Sequence, residues 1–146
     1  MSDRIFVDAD VLVAAHDAGA ADKRAIAEQV LRRLWDDKNG VLSVLALQEF
    51  YAALVATASP VPRRAARELI DAYSVWPVTP LEPPDILAAS EIEERHRLSF
   101  HHAMIVVAAR KSRATPCSSN ASFQPGTSRA SRSEIHSPRI GELVNW

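Results

Sequence analysis

Cysteine, glycine and long apolar runs are all scarce in this 146-residue chain, and each shortage excludes something. Cys117 is the single cysteine, which rules out an intramolecular disulfide and a cysteine zinc cluster and is compatible with a reducing, cytoplasmic setting. Only four glycines are present, and none sits in a GxGxxG or P-loop pattern, so an enzyme built around a nucleotide cofactor is disfavoured. No run of about 18 apolar residues occurs, so no membrane span is expected. Met1 to Arg4 leads directly into a strand-like run and leaves no room for a signal peptide. A formal net charge of −1 argues against binding nucleic acid over the whole surface, while a local basic groove stays open. What remains is an ordinary globular composition, 47% hydrophobic and 24% charged, long enough to bury a core without staples.

Up to Arg113 short strand-like runs alternate with longer helical ones. Arg4 to Val7 reads as a strand and Val11 to Asp17 as a short helix. Asp22 to Asp37 carries Ile26, Val30, Leu31 and Leu34 at helical spacing, with Asp22 as the expected N-cap. Gly40 to Ser43 reads as a second, buried strand. Ser43 then caps a helix over Val44 to Thr57, and Pro60 and Pro62 end it. Arg63 to Tyr73 reads as an amphipathic helix, Val75 to Thr79 as a third strand and Pro84 to Arg97 as another helix. Ala103 to Ala109 is apolar on nearly all sides and belongs in the interior. Such alternation predicts an α/β fold in three layers, a central parallel sheet with helices on both faces. After Lys111 the chain turns serine-rich, with scattered arginines and no apolar period. The expected division is a domain over 1–113 and a degenerate, poorly ordered segment over 114–146, with the C-terminal strands of the sheet incomplete.

Two carboxylates stand out against this plan. Asp8 ends the first strand, in Ile5-Phe6-Val7-Asp8-Ala9-Asp10, at the carboxyl edge where open α/β sheets bind ligands. A plain helix N-cap is the simpler account of it. Glu49 lies on the helix after the second strand, at the border of its apolar face, where an ordinary surface glutamate is the simpler account. Both follow neighbouring parallel strands, so both should reach the same edge. Paired carboxylates repel unless a divalent cation neutralises them, and Mg²⁺ or Mn²⁺ prefers oxygen ligands of this kind. That pairing suits metal-assisted hydrolysis of a phosphodiester.

Three segments, Ile5 to Val13, Ser43 to Phe50 and Leu98 to Ile105, resemble in order and spacing the motifs of PIN-domain ribonucleases, nearest to the VapC-type toxins of bacterial toxin–antitoxin pairs. The resemblance covers roughly residues 4 to 113. It implies a Mg²⁺- or Mn²⁺-dependent endoribonuclease acting on RNA, cytoplasmic, usually a homodimer, and held inactive by a cognate antitoxin. By the same resemblance Asp8 and Glu49 are catalytic metal ligands, and Asp10, where the family often has Asn, is a supporting residue. Ser43 supports the site through its helix.

The chain departs from the family at two places. His102 stands where the family has an aspartate, in a first helical turn that favours an acid as part of a Ser99 capping box. We assign His102 to the catalytic and metal set, as an imidazole that ligates Mn²⁺ better than Mg²⁺. His101 and His102 as polar residues without a metal role is the simpler account. The family's last acidic residue is also missing, and Asn120 offers only a neutral oxygen nearby. A reading-frame change would account for this tail, since the DNA for Ala114 to Cys117 read two bases later can spell Asp-Thr-Leu-Leu. The competing functional expectation is a catalytically weak or inactive module that still binds RNA or an antitoxin-like partner. A receiver-like domain is disfavoured because no phosphoacceptor arrangement with a downstream lysine is found.

Overall fold

The computed structural model describes residues 3–57 and 60–117. Among the described residues four strands, β1 (Ile5–Val7), β2 (Gly40–Ser43), β3 (Val78–Thr79) and β4 (Thr115–Cys117), form one sheet in the order β3-β2-β1-β4, with every pair parallel. Among the same described residues six helices connect them: α1 (Ala9–His16), α2 (Ala21–Asp37), α3 (Val44–Ala56), α4 (Arg63–Tyr73), α5 (Pro83–His96) and α6 (Phe100–Ser112). Each crossover carries two helices. The chain steps outward from β1 to β2 to β3, then returns to the far side of β1, and that reversal makes a crevice at the carboxyl end of β1.

The sheet is covered on both faces, as the unbroken apolar character of Phe6-Val7 and Val41-Leu42 requires. Because successive side chains point to opposite faces, Val7 and Leu42 pack with α1, α2 and α3 through Val11, Leu12, Leu31 and Phe50. Phe6 and Val41 pack on the other face with Ile105, Ala108 and Ala109 of α6. Every residue from Ala103 to Ala109 is buried, so α6 is the internal helix its composition predicts. No helix among the described residues is long and apolar enough to cross a membrane.

Several boundaries differ from the sequence expectation. Helix α1 starts at Ala9 because Asp8 itself is the N-cap. Helix α2 starts at Ala21 with Ala20 at the cap and no side-chain cap bond, so Asp22 lies inside the first turn, where its charge favours the positive helix end. Strand β3 is only Val78–Thr79; Val75 is exposed, and Trp76 turns into the core before the sheet is reached.

The largest correction concerns β4. The expected loss of a fourth strand after Arg113 does not hold: Ile5, Phe6 and Val7 pair in register with Thr115, Pro116 and Cys117. The Thr115 N–H donates to Arg4 O at 2.8 Å. Backbone N–H groups along a strand alternate sides, so the residue after Thr115 would direct its N–H away from β1. Proline there removes no bond of the β1–β4 ladder, which is how a strand accommodates it. Asn120 and the remainder of the 114–146 segment past Cys117 lie outside the described residues.

Candidate functional site

The carboxyl edge of β1 and β2 collects the charged side chains. Asp8 leaves β1 in extended backbone (φ −86°, ψ 162°), and its Oδ1 accepts the Ala9 N–H at 2.7 Å. Asp10 follows in the first turn of α1, exposed. From β2, the fully buried Ser43 accepts the Ala46 N–H at 3.1 Å and fixes where α3 starts. That start sets the rotation of α3 and brings Glu49, in its second turn, toward the same edge. Ser43 therefore fixes the start of the helix that carries Glu49.

The first turn of α6 closes the group from the other layer. Ser99 caps it, accepting the His102 N–H at 3.2 Å, and the same hydroxyl lies 2.8 Å from His102 Nδ1. His101 Nδ1 lies 2.9 Å from Glu49 Oε1. The two imidazoles meet edge-on, with ring centroids 5.6 Å apart.

Electrostatics tie these residues into one site. Burial is the largest cause that pushes the Asp8 carboxyl above its ordinary range. The Ala9 N–H opposes this, Asp10 adds to it, and His101 and His102 relieve it in part. Glu49 is also pushed up, first by burial and then by the charges of Asp8 and Asp10, against the opposing pull of His101. Asp10 thus adds to the cost of ionising Asp8, and Asp8 and Asp10 both add to that of Glu49, with burial the largest cause in each case.

The model of the PIN domain family matches residues 5–124. The chain belongs to the PIN domain family. No curated protein matches it. Among solved structures it is similar to Mycobacterium tuberculosis VapC20, described as a sarcin–ricin loop cleaving toxin. The likeness has a TM-score of 0.58 and 24% identity, and covers 76% of this chain and 85% of that one. At that identity the likeness establishes the fold. The PIN match runs beyond β4, in keeping with the strand the sequence did not lead us to expect.

Within this PIN domain the structure brings Asp8, Asp10, Glu49 and His102 into one neighbourhood and leaves Asn120 outside the described residues. Among the described residues no three His, Cys, Asp or Glu side chains converge closely enough to hold an ion, so Asp8, Glu49 and His102 do not form a closed cage. Two carboxylates raised mainly by burial still fit a hard, largely hydrated cation such as Mg²⁺, which commonly takes one or two carboxylates and keeps several waters. Sequence reasoning gave no specific role to His101. Its partner belongs to another helix, and only its place in the first turn of α6 hinted that it would face this edge.

Proposed function

We propose that this chain is a metal-dependent endoribonuclease of the VapC toxin kind, cleaving RNA phosphodiesters with Mg²⁺ or Mn²⁺. The observation that carries this reading is the gathering of Asp8 and Glu49, with Asp10 beside them, at the carboxyl edge of β1 and β2, where the charges of Asp8 and Asp10 both act on Glu49. A bound divalent ion would activate water and offset the charge that builds on the phosphate. Asp8 and Glu49 would hold it. Asp8 is braced by the Ala9 N–H, and Glu49 by His101 and by the Ser43 cap beneath α3. Asp10 adds negative field without being buried.

His102 would be the third donor, through Nε2, the ring nitrogen that Ser99 does not occupy. It joins an ion only if the ring moves, because no three donors converge among the described residues. An imidazole donor favours Mn²⁺ over Mg²⁺. The overall reaction adds water across one P–O bond and leaves a phosphate on one fragment and a hydroxyl on the other. The reading also makes the chain a cytoplasmic homodimer silenced by a cognate antitoxin.

The test is cleavage of RNA by the full chain with Mg²⁺ or Mn²⁺, beginning with a sarcin–ricin loop hairpin, since the similar VapC20 is described as cleaving that loop. Chelation of the ion should abolish cleavage, and so should Asp8→Asn, which keeps a capping side chain but removes the charge. A chain that binds neither ion at millimolar concentration and leaves every RNA tested intact would end the proposal.

A further inference from the structure

His101 stands out because its contact joins the two helix layers of the site. It occupies the second position of α6, whose first turn is fixed by the Ser99 cap and by the buried Ala103 behind it. Its Nδ1 reaches Glu49 Oε1 on α3 at 2.9 Å, although its side chain is 51% exposed and that of Glu49 is 25% exposed. The ring does not float in solvent. It meets His102 edge-on at 5.6 Å, and His102 is itself tied through Nδ1 to Ser99 Oγ at 2.8 Å. A chain of contacts therefore runs from Ser99 through His102 and His101 to Glu49.

We propose that His101 is the positioning residue of Glu49: its Nδ1–H holds Oε1 and leaves Oε2 as the oxygen offered to a divalent cation. This rests on the metal reading above and adds to it a residue that motif comparison did not assign. A glutamate has several rotatable bonds, and an untethered one must lose that freedom when it binds an ion. Hydrogen bonds from outer partners to ligating groups remove this cost in advance, and losing one weakens metal binding by roughly 10–100-fold. The same contact could instead compete with the ion for the carboxylate. The two roles differ in sign: deleting a positioning donor weakens ion binding, and deleting a competitor strengthens it.

The test measures Mn²⁺ binding to the full chain through the resonance signal of the free ion, and Mg²⁺ by competition. His101→Ala should weaken both by roughly 10–100-fold. His101→Asn places an amide N–H near where Nδ1 stood and should return affinity to within about threefold of the unmodified chain. The His101 ring is half-exposed and its pairing adds little to folding, so the ion-free unfolding midpoint of both variants should stay in place. Equal or tighter binding by His101→Ala overturns the proposal. Asparagine and alanine variants that are equally weak also overturn it, because the ring and not its donor would then matter. If alanine lowers the midpoint, the asparagine variant decides alone, and weak binding by that folded variant refutes the role. An unmodified chain that binds no ion removes the metal reading itself along with this one. Ion binding indifferent to position 101 removes only this one.

Discussion

Gly40→Ala should destabilise the domain through a single contact. Gly40 opens β2 in register with Ile5, and a Cβ there would lie 2.6, 2.6 and 2.8 Å from Trp76 Cε3, Cζ3 and Cη2. Non-bonded carbons rest at about 3.5–4.0 Å, so ring and strand must part by roughly 1 Å. Neither can do so easily. Trp76 is 7% exposed and packed tilted against Trp35 and edge-on to Tyr73, with centroids at 5.7 and 5.9 Å, while β2 is held between β1 and β3. Overpacking of this kind costs about 1–3 kcal/mol. For a domain of this size that is a fall in Tm of about 4–15 °C, to be read by thermal and urea unfolding at unchanged m. Where space allows, Gly→Ala stabilises by about 0.4–1 kcal/mol, so the sign of the shift is itself decisive. In a cycle with Trp76→Leu the penalty should shrink, giving a coupling of about 1 kcal/mol or more. A Tm equal to or above that of the unmodified chain, or strict additivity in the cycle, would refute the reasoning.

Two further outcomes follow from named contacts. Burial pushes the Tyr73 phenol up to about 12, and its OH lies 3.1 Å from His16 Nε2. Because the folded-state value is the higher one, the stability it contributes is complete below pH 10 and is lost as pH rises toward about 12. Absorbance titration should show a late-ionising tyrosine, and Tyr73→Phe should remove both that step and the alkaline slope in stability. His102→Asp should strengthen Mg²⁺ binding more than it alters folding, since a carboxylate at the third helical position adds a hard oxygen and gives the helix start only about 0.3–1 kcal/mol; calorimetry showing unchanged Mg²⁺ affinity would place residue 102 outside the site.

The parts of the fold legible in the sequence are those where local chemistry and tertiary packing agree. Strand β2 and helix α4 fall on the residues the sequence marks, because Asn39-Gly40 and the Pro60–Pro62 pair punctuate the chain wherever it folds. Disagreement appears where a tertiary partner outvotes the local signal. Val75 has strand propensity but meets no strand, and Trp76 is drawn into the cluster of Trp35 and Tyr73. At β4 the local signal is all against a strand, with a proline and a serine-rich continuation. The open edge of β1 supplies bonds that outweigh it, and the alternation of N–H directions hides the proline's missing donor.

The site divides along the same line. That Asp8 and Glu49 come to one edge could be read in advance because strand-end position is a one-dimensional fact: the residue after β1 and the helix after β2 must reach the same edge of a parallel sheet. Ser43 was legible for a similar reason, since an N-cap lies next to the helix it caps. The His101–Glu49 contact was not, because it joins α6 to α3 and depends on the rotation of both helices about their axes. A one-residue change in where either helix begins would turn its side chain by about 100°, and neither strand register nor hydrophobic period fixes an origin so closely. The caps do. Ser43 sets α3 and Ser99 sets α6, so the contact between residues far apart in the chain is decided by two serine hydroxyls, each bonded three residues ahead.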